Sequence, residues 1–296
     1  MNKDEILSIL TNIENSVSEI KLLLNKSTED QVSKNKLTED RSIESYQLSN
    51  GIKLVDTNWP LAVPEESIVR TKLQEITRAK MMASKLPNIS GKILDFGCGK
   101  GYLTEYYHDN QQEIIGYDPY PTPNEWETKN CTKFYSNWDN VIELGPYDSI
   151  VMYDVIDHIV DRPLIDIVND IKLVMNKDST LYVFAHPWTG PHGGHLYEFI
   201  NKAYAHLLIN KEFLNSICPD RTKCVEILKP QSHYKTLFED NFKVKDKKAF
   251  NQPPNSWVVE NLVPILLNEV FDNKTQQDQL IKIISLAGIY YQLTNN

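Results

Sequence analysis

Cysteine is scarce in this 296-residue chain: Cys98, Cys131, Cys218 and Cys224 are all there is. None belongs to a C-x-x-C pair, so the common zinc-site spacing is missing. So few cysteines in so long a chain do not make a disulfide framework, and they read as reduced thiols. A long apolar run is missing too. The longest uncharged one, "IISLAGIYYQL", is roughly half of what a bilayer-spanning helix needs. The first residues, "MNKDEILSIL", carry charges where a secretory signal needs an apolar stretch. A cytoplasmic protein with no membrane partner is expected. Positive charge is in deficit as well: 31 Lys and Arg against 40 Asp and Glu give a formal net charge of −9. Bare nucleic acid and anionic membranes both attract a basic field, so the charge argues against nucleic acid as the main partner.

What is present is order along the chain. Ile6, Ile9, Ile13, Val17, Ile20 and Leu24 recur at alternating three- and four-residue steps, which predicts an amphipathic helix over 1–26. Such a stripe packs on its own domain or drives homo-oligomers. Residues 27–50 are polar and aperiodic and read as a linker. A single domain is expected from 51 to 296. A helical period covers 64–86. Strands are then predicted at 92–96, 113–118, 133–137, 147–154 and 179–187, alternating with helices, and this alternation implies a parallel sheet covered on both faces. The pattern turns helical after His195. Insertions around 196–218 and 255–280 are expected to form a lid, a late strand is expected at 241–250, and "LIKIISLAGIYYQL" reads as a final strand or a helix, its β-branched and aromatic content favouring strand.

The stretch "ILDFGCGKG" (93–101) carries the first chemical signal. It is not a phosphate-binding P-loop, because Lys100 is followed by Gly101 rather than Ser or Thr. It is not a dinucleotide fingerprint either: Gly97, Gly99 and Gly101 give G-x-G-x-G, not G-x-G-x-x-G. Asp95 would repel a pyrophosphate in a partly desolvated turn. The expected ligand is cationic near Asp95 and the glycines. S-adenosylmethionine has an ammonium and a sulfonium, no phosphate, and a ribose with two vicinal hydroxyls. Asp118, closing "EIIGYD", is placed to accept those hydroxyls, as acids do at this position in dinucleotide folds.

Taken with "YDSIVMYDVIDHI" (147–159), these motifs resemble the class I S-adenosylmethionine-dependent methyltransferases. "DVIDHI" resembles the D-V-L-E-H-[IV] motif common among small-molecule O- and C-methyltransferases. The resemblance spans roughly residues 70 to 190. It implies a Rossmann-like, doubly wound, mostly parallel seven-stranded sheet. It also implies that Asp95, Gly97, Gly99 and Gly101 line the methionine part of the cofactor and that Asp118 takes the ribose. Pro119 or Tyr120 would flank the adenine, with Trp138 and Asp139 near the ring. Tyr153 and Asp154 would stand beside the methyl group. Trp138 also reads as an ordinary core aromatic.

Methyl transfer needs an aligned nucleophile and, often, a base. Two segments offer one. Asp154, Asp157 and His158 fall at i, i+3 and i+4, one face of any helix beginning near Asp154. That resembles the E-x-x-E-H site of metal-dependent O-methyltransferases, with Asp in place of both Glu residues. A divalent ion such as Mg would then be held by Asp154, Asp157, His158 and a later histidine, His195. The plainer reading is that Asp157 and His158 order the loop. The second segment, "HPWTGPHGGHLYEF" (186–199), gathers His186, His192 and His195, candidate general bases near neutral pH or local hydrogen-bonding groups. The expected activity is O-methylation of a hydroxyl on a small metabolite, such as a sugar or nucleotide-sugar, with a histidine base. The alternatives are metal-assisted 2′-O-methylation of an RNA end, and a cofactor-binding scaffold without turnover.

Overall fold

The computed structural model describes residues 45–48, 50–86, 89–130, 133–159, 161–192, 194–218, 229–267 and 274–296. The helix expected over 1–26 and most of the linker lie outside them. In chain order the sheet-forming part runs α1 (Lys72–Ser84), β1 (Lys92–Phe96), α2 (Tyr102–Asp109), β2 (Glu113–Tyr117), α3 (Pro123–Trp126), β3 (Phe134–Tyr135), α4 (Trp138–Leu144), β4 (Tyr147–Tyr153), α5 (Leu164–Leu173) and β5 (Met175–Ala185). There follow α6 (Ala205–Leu208), α7 (Lys211–Ile217), α8 (Gln231–Asn241), β6 (Lys243–Asn251), α9 (Ser256–Asn261), α10 (Val263–Leu267), α11 (Lys274–Ile284) and β7 (Leu286–Thr294). No helix among the described residues is long and apolar enough to cross a membrane.

The seven strands form one sheet in the order β3-β2-β1-β4-β5-β7-β6. The pairs β1–β2, β1–β4, β2–β3 and β4–β5 are parallel, and β7 runs antiparallel to β5. This is the Rossmann-like α/β architecture. Central strands of such a sheet are covered on both faces and so carry continuous apolar runs rather than alternation. Ile93, Leu94, Ile150 and Val151 are accordingly inaccessible to solvent. The chain builds outward from β1 to β3, then returns to the other side of β1 with β4. The crevice at the carboxyl ends of β1 and β4 is therefore the switch point where open α/β sheets take ligands.

Several boundaries differ from the sequence reading. The helix expected over 64–86 begins properly only at Lys72, because Thr71 and Gln74 close a capping box there: the Thr71 hydroxyl accepts from Gln74 N–H, and Gln74 Oε1 accepts from Thr71 N–H at 2.8 Å. Glu65–Ser67 is a separate 3-10 turn. "LIKIISLAGIYYQL" is not one strand. Its first residues finish α11, and β7 starts at Leu286. Apolar residues of both periods meet there without a Gly or Pro to mark the junction. In the insertion 196–218 only α6 and α7 are helical; residues 196–204 are mostly turns.

Residues 51–296, expected as one domain, divide into two compact units. The sheet unit comprises Val69–His186, His233–Ala249 and Gly288–Asn296. The other takes in the described residues of 45–68, 187–232 and 250–287. The described part of this second unit packs around its own apolar cluster. Trp59 donates its indole N–H to the Ala203 carbonyl at 2.8 Å and stacks on Trp257. Tyr46 packs on Phe213 with ring centroids 4.0 Å apart, so the end of the expected linker is already part of a folded core.

Candidate active site

The glycine loop leaves β1 and enters α2 through a turn closed by Gly101 N–H on the Cys98 carbonyl. Gly97, Gly99 and Gly101 all have positive φ, at 76°, 51° and 78°. They need glycine for different reasons. A Cβ at Gly97 would meet Val155 Cγ1 at 2.5 Å, and one at Gly101 would meet Phe134 Cε1 at 2.6 Å. At Gly99 a Cβ would point into open space, with nothing within 4 Å. That open side belongs to a cavity of about 280 Å³ lined by Asp95, Gly97 to Lys100, Tyr102, Leu103, Tyr153, Asp154 and one face of α1. The cavity therefore brings together five of the expected cofactor residues: Asp95, Gly97, Gly99, Tyr153 and Asp154.

Three acids stand at the ends of β1, β2 and β4. Asp95 is only 4% exposed, and its Oδ2 accepts the Thr104 hydroxyl at 2.7 Å. Burial raises its pKa from the usual carboxylate range to about 7; the Thr104 hydrogen bond opposes the shift and the charge of Asp118 adds to it. Asp118 is held by backbone amides. Its Oδ2 accepts Gly99 N–H at 2.8 Å and its Oδ1 accepts Tyr120 N–H at 2.9 Å. A carboxylate offers about four lone-pair sites, so capacity for further donors remains.

Asp154 is held by charge. Arg78 Nη2 lies 2.6 Å from its Oδ2, and His186 Nε2 lies 3.2 Å from its Oδ1. Burial pushes the Asp154 pKa up, but the hydrogen bond and charge of His186, with the charge of Arg78, outweigh burial and hold it below the usual value. Asp154 also has φ of +56°. Such a conformation costs a non-glycine residue free energy and persists where neighbours enforce it. Here its N–H is fixed on the Phe184 carbonyl. Residues 155–158 form a turn, not a helix. The helical face expected to align Asp154, Asp157 and His158 does not exist. Asp157 is buried and accepts the His186 N–H on Oδ2 at 3.0 Å, whereas His158 is exposed. Asp154 is thus committed to Arg78 and His186 rather than to a metal set.

The other expected residues have these surroundings. Tyr120 is exposed, and its hydroxyl donates to Asp161 at 3.2 Å; Pro119 precedes it on the surface. Trp138 opens α4 and packs edge-on against Phe96, with ring centroids 5.5 Å apart, and tilted on Tyr117. Asp139 is exposed. His192 and His195 belong to the second unit, where His195 N–H bonds the His192 carbonyl at 3.0 Å.

Sequence reasoning missed Glu75, Arg78, Ala79 and Met82, which supply the α1 wall of the cavity. Their spacing of i, i+3, i+4 and i+7 is one helical face, so the signal was present. It also missed Thr104, Thr122 and Trp126. A hydroxyl nine residues beyond Asp95 and an indole at the end of a four-residue helix have no motif to announce them.

A family model described as a methyltransferase domain matches residues 68–214. No curated protein matches in sequence. Among solved structures, a SAM-dependent methyltransferase from Archaeoglobus fulgidus is 16% identical, covering 78% of this chain and 97% of its own, with a TM-score of 0.46. A protein from Pyrococcus horikoshii OT3 is 12% identical, covering 82% and 97%, with a TM-score of 0.44. The 1,6-didemethyltoxoflavin-N1-methyltransferase of Burkholderia thailandensis, solved with 1,6-didemethyltoxoflavin and S-adenosylhomocysteine, is 12% identical, covering 75% and 78%, with a TM-score of 0.42. The family match and the motifs at the carboxyl ends of β1, β2 and β4 agree: the chain belongs to the class I S-adenosylmethionine-dependent methyltransferases.

Proposed function

We propose that the protein O-methylates a hydroxyl on a small metabolite and that His186 is the base. The observation that carries this reading is the Asp154–His186 pair, 3.2 Å apart, at the ends of β4 and β5. Asp154 lines the cavity that the glycine loop opens. S-adenosylmethionine supplies an electrophilic methyl group on a sulfonium. The chain does the rest. Asp95 offers a carboxylate to the cofactor's ammonium end, and Asp118 offers acceptor capacity to the ribose. Arg78 keeps Asp154 ionised. Asp154 orients the imidazole by holding a proton on Nε2, which makes Nδ1 the nitrogen that takes the acceptor's proton. Asp157 fixes the His186 backbone, so the ring is positioned from two sides. The toxoflavin-precursor enzyme is a relative in fold that acts on a small molecule, in keeping with this substrate class.

The test is a transfer screen with methyl-labelled cofactor over hydroxylated sugars, nucleotide-sugars and phenols, with the product bond assigned by mass spectrometry. Label on oxygen supports the reading. Label only on nitrogen, carbon or RNA ends refutes the acceptor class.

A further inference from the structure

The segment between β2 and β3 grips the glycine loop from outside. Gly99 is the second residue of the Cys98–Gly101 turn, and its φ of 51° is the sign that a type II′ turn requires there. The peptide joining Gly99 to Lys100 is the central one of that turn. In β-turns this plane flips between types, and a flip exchanges which face shows the carbonyl and which the N–H. Here the Gly99 carbonyl accepts from Thr122 Oγ1 at 3.1 Å and from Trp126 Nε1 at 2.8 Å, with the Cys98 thiol a longer third donor at 4.0 Å. Both of its lone pairs are used. Trp126 is itself fixed by stacking on Phe134, centroids 5.2 Å apart and planes 11° from parallel. Phe134 is also the ring that fills the space a Cβ at Gly101 would need. A trans peptide points its C=O and N–H in opposite directions. Thr122 and Trp126 do not line the cavity, whereas Gly99 and Lys100 do. With the carbonyl turned to Trp126, the Lys100 N–H lies on the opposite side of that peptide.

We propose that Trp126 and Thr122 are positioning residues that lock the Gly99–Lys100 peptide, and that the Lys100 backbone N–H is a binding group for an acceptor atom at the amino-acid end of the cofactor. The inference rests on the reading of this cavity as the S-adenosylmethionine site. It assigns to the tryptophan that ends α3 a role in affinity rather than in turnover.

Calorimetry with S-adenosylhomocysteine on the full chain tests it, using Trp126→Phe, which keeps the stack on Phe134 but deletes the donor, and Thr122→Val. Loss of one such hydrogen bond corresponds to about a tenfold weaker dissociation constant. That weakening is expected for Trp126→Phe, with a smaller one for Thr122→Val, and with turnover at saturating cofactor within about twofold of wild type. The Lys100 amide resonance in ¹⁵N-labelled protein should shift on ligand addition in wild type and shift less in Trp126→Phe. A merely structural tryptophan would lower the melting temperature but leave the dissociation constant and the amide shift unchanged; that result overturns the proposal. Should Trp126→Phe fail to fold, Thr122→Val with wild-type affinity overturns it equally. Failure of the wild type to bind S-adenosylhomocysteine would instead remove the cofactor site itself, and this inference with it.

Discussion

The two halves of the sheet unit's crevice treat their acids differently. On the β1–β2 side, Asp95 meets a threonine hydroxyl and Asp118 meets backbone amides. On the β4–β5 side, Asp154 meets a guanidinium and an imidazole. Neutral donors leave a carboxylate's field available to an incoming cation, and for Asp95 burial leaves the charge incomplete near neutral pH. Charged partners consume the field and fix the partner's geometry instead. On the proposed reading, the first half receives a cationic ligand and the second aims an imidazole. Damage to the first should therefore appear in cofactor affinity, and damage to the second in turnover.

The largest effect expected on the first half comes from Gly101→Val. Its side chain would collide with Phe134 in a backbone region closed to Val. S-adenosylhomocysteine binding should fall on the order of a hundredfold or more by calorimetry, and unchanged affinity would break the division. On the second half, Asp154→Asn keeps the shape but loses the charge that orients His186. Turnover should drop about a hundredfold while the dissociation constant moves by less than a few-fold. Thr104→Val leaves the buried Asp95 carboxyl without its hydroxyl donor and should cost about 1–3 kcal/mol in denaturant unfolding.

The smallest effect concerns pH and gives the sharpest sign. Asp95 has its folded-state pKa raised to about 7, so the native state holds a proton that the unfolded chain loses near the ordinary carboxylate range. Stability of the ligand-free protein should decline as pH rises through that window, up to about 7. Affinity for S-adenosylmethionine should instead improve several-fold from pH 6 to 7.5, as Asp95 gains charge. Asp95→Asn should flatten both trends and leave the ligand-free protein more stable than wild type at pH 8. Parallel pH curves for the two proteins would contradict the assignment.

The first half was legible in the sequence because its chemistry is local. "ILDFGCGKG" places an acid, a turn and three glycines within nine residues, and β2 delivers Asp118 by a short connection. The second half was legible only in part. Asp154, Asp157 and His186 were singled out, but their arrangement was not. A helical period was assumed from Asp154, whereas left-handed backbone at that residue starts a turn. Arg78 approaches from 76 residues away along the chain, and no spacing rule spans that distance.

The division between a cofactor half and a base half is tested most directly by His186→Gln. With the acceptor found by the transfer screen, turnover of this variant at saturating cofactor should fall by about 10² to 10⁴ relative to wild type, while its dissociation constant for S-adenosylhomocysteine stays within about twofold. Turnover within a few-fold of wild type would contradict the account.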